Sequence, residues 1–381
     1  MANILDYLDW RGDLSFASDS FNEVDNLILS NLSYLKLDGS VPHEINDSKI
    51  TLLDLANKFM ASKQPPSEYV NYYFPEKIAE LLLRAAKTAR FQNINLFGYV
   101  NRVDHQISNQ FSAVIFSIAC DEYFIAFRGT DNTIAGWKEN LRMSFIDEVL
   151  AQKQAASYVN CIISNLKGRF YLGGHSKGGN LAVYAATHIK SEIRDKVLNI
   201  YNNDGPGFHK SIIESEGYQS VADKVNTIIP KSSVVGMLLE HGENFKVIDS
   251  SGYGILQHDA FLWEVKGPNF VYNGELSKNC RDFDNTIRLW LDNLSIEQRE
   301  HFIDALFEII QVTGAQTFNE LSKEKLKVID GMINKYRSMD SETQLLLKKT
   351  IVTLLNEGQK VYSKSIGEKI DLTFTKIHLR K

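Results

Sequence analysis

The sequence predicts an α/β fold: a mostly parallel sheet flanked by helices, with helical additions before and after it. Three observations predict it. From residue 169 to residue 248, short apolar stretches rich in Val, Ile, Tyr and Phe alternate with helical patterns, which is the rhythm of βαβ units. Three more β-rich stretches stand directly before them, separated only by polar turns. The flanking segments carry helix-start signals and apolar stripes at helical spacing instead.

Taken in order, residues 1–90 read as helix and loop. Thr51, with Asp54 three residues on, caps a helix through Leu52, Leu53, Leu55 and Ala56. Pro65-Pro66 breaks the chain, and Pro75 suits the first position of a helix through Ile78, Leu81, Leu82 and Ala85. Ile94–Val103, Phe111–Ile118 and Glu122–Phe127 then read as sequential antiparallel strands. Helices follow over Thr133 to about residue 144 and over Gln152–Leu166. The βαβ part comprises strand Arg169–Gly173, helix Asn180–Ile189, strands Val197–Asn202 and Val225–Ile229, a helical stretch near Val234–Leu239 and strand Phe245–Ile248. From about 281 to 358 the chain reads as helical, with capping boxes at Ser295/Gln298, Thr317/Glu320 and Ser341/Gln344. Phe302, Leu306, Ile309 and Ile310 share one face of this part, and Leu345, Leu346, Ile351, Leu354 and Leu355 build another stripe. These textures divide the chain into a helical region over 1–90 packed on the core, a core over 91–270 and a helical region over 271–381.

Composition excludes several classes. The net charge of −5 gives no basic surface for nucleic acid. No apolar run approaches the roughly 18 residues that span a bilayer. The acid-interrupted start Met1–Asp6 lacks the basic n-region of a signal peptide. Cys120, Cys161 and Cys280 are odd in number and far apart, so they read as free, mostly buried thiols in a reducing, cytoplasmic setting. No Cys/His cluster suggests a metal, and no cofactor is expected.

The chemistry-bearing segment is Tyr171-Leu172-Gly173-Gly174-His175-Ser176-Lys177-Gly178-Gly179-Asn180. An acyl-transfer nucleophile must be exposed, close to a base and close to backbone donors. A sharp strand-to-helix turn achieves this when the residues two before and two after the nucleophile are small. Gly174 and Gly178 meet that requirement around Ser176, and an apolar strand and a helix flank the turn. The pattern points to an α/β-hydrolase core with Ser176 as nucleophile. The N–H of Lys177 would be one oxyanion donor, favoured by the positive end of the helix it opens. The Lys177 side chain itself is expected to reach solvent.

Phe127-Arg128-Gly129-Thr130 ends an earlier strand and supplies the second donor, Thr130, while Arg128 anchors the loop by structural hydrogen bonds. His258, on the loop after the last strand, is the expected base, with His241 as the alternative; His175 is expected to be structural. Asp204 follows strand Val197–Asn202 at the end of the sheet where ligands gather and is the expected acid. A carboxylate holding only the Gly205-Pro206-Gly207 turn, or an acid-free Ser–His pair oriented by Ser232 or Ser233, are the competing readings. Trp137, Phe145 and Trp263 are candidates for an acyl pocket, although aromatic residues of this kind usually belong to the core.

Phe127-Arg128-Gly129-Thr130 followed by Trp137, together with Gly174-His175-Ser176-Lys177-Gly178-Gly179, resembles the class 3 lipases over about residues 94–265. The wording Phe-Arg-Gly-Thr-Asp, Gly-His-Ser-Lys-Gly-Gly-Asn and Asn-Asp-Gly-Pro-Gly-Phe is closer still to an uncharacterised bacterial family of lipase-like hydrolases. The resemblance implies that Ser176 is the nucleophile, Thr130 and Lys177 the oxyanion donors and His258 the base. The acid does not carry over: it follows the strand equivalent to Val225–Ile229 in class 3 lipases, and Ser232-Ser233 stand there in this chain. Lys177 replaces the usual Leu.

The expected function is therefore a serine hydrolase acting on an acyl ester or lipid-like substrate through a Ser-His-Asp mechanism. A thioesterase or peptidase on the same groups is not separable from it at this level. The alternative of another class is a non-catalytic scaffold that binds a protein through its C-terminal helices.

Overall fold

The structure is a computed structural model, which describes residues 1–45, 49–104, 106–131, 133–143, 145–252, 254–278, 280, 294–315, 325–350 and 352. Contacts divide the chain into two compact units, Met1–Leu276 and Ser277–Lys381.

The first unit is built on an eight-stranded sheet whose strands lie side by side in chain order. They are β1 (Ile50–Thr51), β2 (Asn95–Asp104), β3 (Asn109–Ala119), β4 (Glu122–Phe127), β5 (Arg169–His175), β6 (Val197–Asn203), β7 (Val225–Pro230) and β8 (Lys246–Ile248). Pairing is antiparallel from β1 to β4 and parallel from β4 to β8. Helices cover both faces, as an α/β-hydrolase core requires.

Strand periodicity shows how the two faces are filled. Successive side chains of a strand point to opposite faces. Val114, Phe116, Ile118, Phe124 and Ala126 therefore enter one core, with α1 (Ile4–Arg11), α2 (Glu23–Leu32), α3 (Leu52–Ser62) and α5 (Pro75–Ala85) of the N-terminal region; α4 (Pro66–Tyr69) lies between the last two. Phe111, Ala113, Ile115, Ile125 and Phe127 enter the other core, with α7 (Leu150–Asn165) and α8 (Lys177–Thr187). Both faces being buried explains why β3 reads as one continuous apolar run. A bulge interrupts the β2–β3 register between Phe97 and Val100, and Gly98 takes the positive φ of 63° there.

Local signals act as the sequence requires. Thr51 accepts the Asp54 N–H at 3.0 Å, Pro75 opens α5, and Thr133 accepts the Gly136 N–H at 3.1 Å to start α6 (Ile134–Arg142). The N-terminal region is tied down by a buried ion pair, in which Arg90 donates to both oxygens of Asp25 and also to the carbonyls of Leu14, Asp19 and Ser20.

Three expectations are corrected here. Val234–Leu239 is not helical but a run of turns: Ser233 Oγ captures the Gly236 N–H, Leu239 sits at φ 65°, and Phe208 bridges Glu240. These local bonds hold the segment as a loop despite its apolar content. Two of the three thiols are exposed rather than buried: Cys120 lies in the β3–β4 turn and Cys161 on the outer side of α7, while Cys280 is buried. The helix 341–350 of the second unit is capped by Asp340, not Ser341, because the Asp340 carboxylate accepts the N–H groups of Glu342 and Thr343.

In that second unit Ser295 and Gln298 form their reciprocal capping box at the start of helix Ile296–Gln311, whose Phe302, Ile309 and Ile310 are buried. Helix Lys325–Ser338 reaches it through the Lys335–Glu308 ion pair at 3.0 Å. Leu345 is 65% exposed, and the buried positions of helix 341–350 are Thr343, Leu347 and Thr350, so its inner face is displaced from the expected stripe. Thr317, Glu320, Ile351, Leu354 and Leu355 lie outside the described residues. No helix among the described residues is long and apolar enough to cross a membrane.

Candidate active site

The elbow forms where β5 meets α8. Ser176 has φ 60° and ψ −133°, a backbone region that few non-glycine residues adopt and that stores about 1–3 kcal/mol. The neighbouring glycines make this turn sterically feasible. A Cβ on Gly174 would lie 2.3 Å from the Gly178 carbonyl carbon, and one on Gly178 would lie 2.1 Å from the Phe127 carbonyl oxygen. Backbone therefore packs directly on backbone between the elbow and the end of β4. Ser176 donates its N–H to the Asn203 carbonyl at 2.9 Å, which locks the turn to the end of β6.

Asp204 follows that carbonyl directly. It is fully buried, sits at φ 53°, and donates its N–H to Ile228 O at 2.9 Å. Its Oδ2 lies 2.7 Å from His258 Nδ1, and its Oδ1 accepts the Ser233 hydroxyl. The structure thus brings Asp204 and His258 together; Asp204 follows the residue whose carbonyl accepts the Ser176 N–H, and His258 lies against His175, the residue before Ser176. His241 is occupied elsewhere: Nε2 meets Gly236 O at 2.6 Å, and Nδ1 lies 3.4 Å from Glu243.

His258 ends a short 3-10 turn, Gly254–His258, and its side chain is 23% exposed, so part of the ring stays accessible. Several bonds fix its loop. Gln257 accepts the Ser232 N–H at 2.8 Å and donates to Gly252 O at 3.0 Å, and Trp263 Nε1 donates to Gln257 O at 2.8 Å. Asp259 is paired with Lys77 of α5. His175 has a defined part in this arrangement. Its Nε2 meets the His258 carbonyl at 2.8 Å, its ring lies 4.6 Å from the His258 ring, and Tyr34 Oη lies 3.4 Å from its Nδ1. A carbonyl can only accept, so Nε2–H donates and Nδ1 is the acceptor for Tyr34. Burial, then the nearby His258, push the His175 pKa well below the usual imidazole value, which keeps this tautomer neutral.

After β4, Arg128 anchors its loop by bonds to Asn101 Oδ1 at 3.0 Å and Asp131 Oδ2 at 3.1 Å. Gly129, the residue before Thr130, packs against the His175 carbonyl of the elbow. Thr130 is 7% exposed, and its hydroxyl has no hydrogen-bond partner among the described residues.

The Lys177 side chain does not reach solvent. It is fully buried, and Nζ donates to Gln110 O at 2.8 Å and Glu139 Oε2 at 2.9 Å. Its stem runs inward with the first turn of α8, and Glu139 of α6 supplies the counter-charge that makes burial tolerable. The same carboxylate accepts the N–H groups of Gln110 and Ala151. Of the aromatic candidates, Trp263 is core and Phe145 is buried, whereas Trp137 is half-buried and donates to the Tyr73 hydroxyl.

Glu139, Tyr34, Lys77 and Gln257 were not apparent as site residues in the sequence, because each acts on the elbow or base loop across a long stretch of chain. Among the described residues no group of His, Cys, Asp or Glu is placed to hold a metal ion.

No curated protein matches the chain. Among solved structures, one titled M37 lipase aligns with 58% of this chain and 71% of its own, at 17% identity and a TM-score of 0.35. The family model described as Mbeg1-like matches residues 85–308, more than half of the chain and inclusive of every site residue named above except Tyr34 and Lys77; the chain belongs to the Mbeg1-like family.

Proposed function

We propose that this hydrolase-fold protein is a serine hydrolase that cleaves a carboxylic ester by covalent acyl transfer. The observations that carry the reading are the Asp204–His258 hydrogen bond of 2.7 Å and a serine at positive φ on a strand-to-helix turn. In the proposed cycle His258 takes the Ser176 proton as Ser176 attacks the ester carbonyl. The N–H groups of Thr130 and Lys177 stabilise the oxyanion, at about 3 kcal/mol of barrier per donor. The protonated imidazole then gives its proton to the departing alkoxide. Water attacks the acyl-enzyme with His258 again as base, which releases the acid and restores Ser176. Asp204 accepts the Nδ1–H of His258 and so leaves Nε2 as the proton acceptor.

The test is reaction with a fluorophosphonate probe, the adduct being located by mass spectrometry. Labelling at Ser176 that Ser176→Ala abolishes is the expected result, and a series of esters graded by chain length then defines the acyl group. A folded protein that does not label refutes the reading and points to a non-catalytic scaffold.

A further inference from the structure

We propose that Ser233 is a positioning residue for the acid of this site: its hydroxyl holds one carboxylate oxygen of Asp204 so that the other faces the imidazole of His258. The proposal rests on the reading of Ser176, His258 and Asp204 as a catalytic set.

A carboxylate turns easily about its last side-chain torsion, whose preferences are broad. Asp204 is fully buried, so solvent cannot fix it. Protein partners on its two oxygens do so: His258 on Oδ2 and Ser233 on Oδ1. The direction of the Ser233 bond is set by its surroundings. The Ser233 oxygen accepts the Gly236 N–H at 2.9 Å, and a carboxylate oxygen can only accept, so the hydroxyl is the donor to Asp204. The backbone of Ser233 is pinned in turn by its N–H to Pro230 O at 2.9 Å, and the residue is 1% exposed.

Two neighbours show that this turn is fitted to the acid and the base together. The Ser232 N–H meets Gln257 Oε1 at 2.8 Å, so consecutive residues grip the base loop and the carboxylate. A Cβ on Gly236 would lie 2.3 Å from Asp204 Oδ1 and 3.1 Å from Ser233 Oγ, so the turn closes on the carboxylate with no room for a side chain.

Ser233→Ala leaves a buried, charged oxygen without its donor, and hydrogen bonds to charged groups are among the strong ones. With the fluorophosphonate probe, the limiting rate of Ser176 labelling should fall at least about tenfold, while the half-saturating probe concentration stays unchanged. Ser233→Thr, which keeps the hydroxyl, should restore the rate. Proton NMR should show a far-downfield imidazole N–H resonance for the His258–Asp204 bond, weakened or lost in Ser233→Ala and retained in Ser233→Thr. If Ser233→Ala does not fold, Ser233→Cys, which keeps the shape and weakens the donor, takes its place with the same expectation. Gly236→Ala offers an independent push on the same oxygen and should also lower the limiting rate. A role confined to the turn predicts reduced thermal stability with wild-type labelling rate and an unchanged downfield resonance, and that result overturns the proposal. Wild-type protein that does not label overturns the hydrolase reading first; wild-type protein that labels no faster than Ser233→Ala overturns only the role of Ser233.

Discussion

Removing the carboxylate of Glu139 should nearly unfold the first unit, although the residue touches none of the reacting groups. Lys177 Nζ lies 2.9 Å from Glu139 Oε2, and the two side chains are 0% and 4% exposed. Breaking a buried pair from one side leaves an uncompensated charge, at about 3–5 kcal/mol. Glu139→Ala also strips the Gln110 and Ala151 N–H groups of acceptors at 3.1 and 3.2 Å. Each orphaned donor adds about 1–3 kcal/mol where water does not reach it. Allowing for partial relaxation, a loss of about 5 kcal/mol or more follows, which matches the whole stability of many domains. Glu139→Gln keeps acceptor oxygen for the backbone and removes only the charge, so it should lose less. Glu139→Gln with Lys177→Met removes both charges and should recover part of the loss. Urea unfolding followed by circular dichroism measures all four proteins. A Glu139→Ala protein within about 1 kcal/mol of wild type would refute the argument, since the smallest single effect invoked is of that size.

Three other expectations follow from the same geometry. Burial alone would raise the Glu243 carboxyl, but His241, Thr227 and Tyr218 outweigh it and hold the group at about 2; a depressed carboxylate stabilises above its unfolded value near 4.5 and loses that contribution as the pH falls towards about 2. The stability difference between wild type and Glu243→Gln should therefore shrink across that window in thermal melts at graded pH, and a constant difference would contradict it. His175→Phe keeps a flat aromatic ring, somewhat larger than imidazole, but removes the donor to the His258 carbonyl; labelling of Ser176 should slow about tenfold, with little change in secondary structure by circular dichroism. A thiol reagent should modify Cys120 and Cys161 in the native protein and reach Cys280 only in denaturant, as counted by mass spectrometry.

Much of the first unit was legible because its signals are local. Continuous apolar, β-branched and aromatic runs mark β3 and β4, Thr51 and Thr133 mark helix starts, and the glycines around Ser176 mark the elbow. The partnership of Asp204 and His258 could be guessed from strand ends, but not its support. Lys177 looked like a surface residue because its counter-ion, Glu139, lies on another helix, and no pattern in sequence links the two. Val234–Leu239 looked helical because its apolar content does not reveal that Ser233 captures the Gly236 N–H and that Leu239 has positive φ. The cysteines were misjudged for a related reason: residue type sets an average burial, whereas a hairpin turn and an outward helix position set the burial of Cys120 and Cys161.

The family match begins at residue 85, yet part of what fixes the site comes earlier in the chain. Asn26 exchanges amide hydrogen bonds with Asn203, Tyr34 reaches His175, and Lys77 pairs with Asp259. A chain cut at 85 would keep Ser176, Asp204, His258, Thr130 and Lys177, yet Asn203, His175 and Asp259 beside them would each lose a partner. Such a fragment would hold every residue proposed to react and lack part of the frame that keeps them in register. What distinguishes the whole chain from that fragment is preorganisation rather than composition, so the stretch matched by the family and the stretch that fixes the candidate site are two different lengths of the same polypeptide.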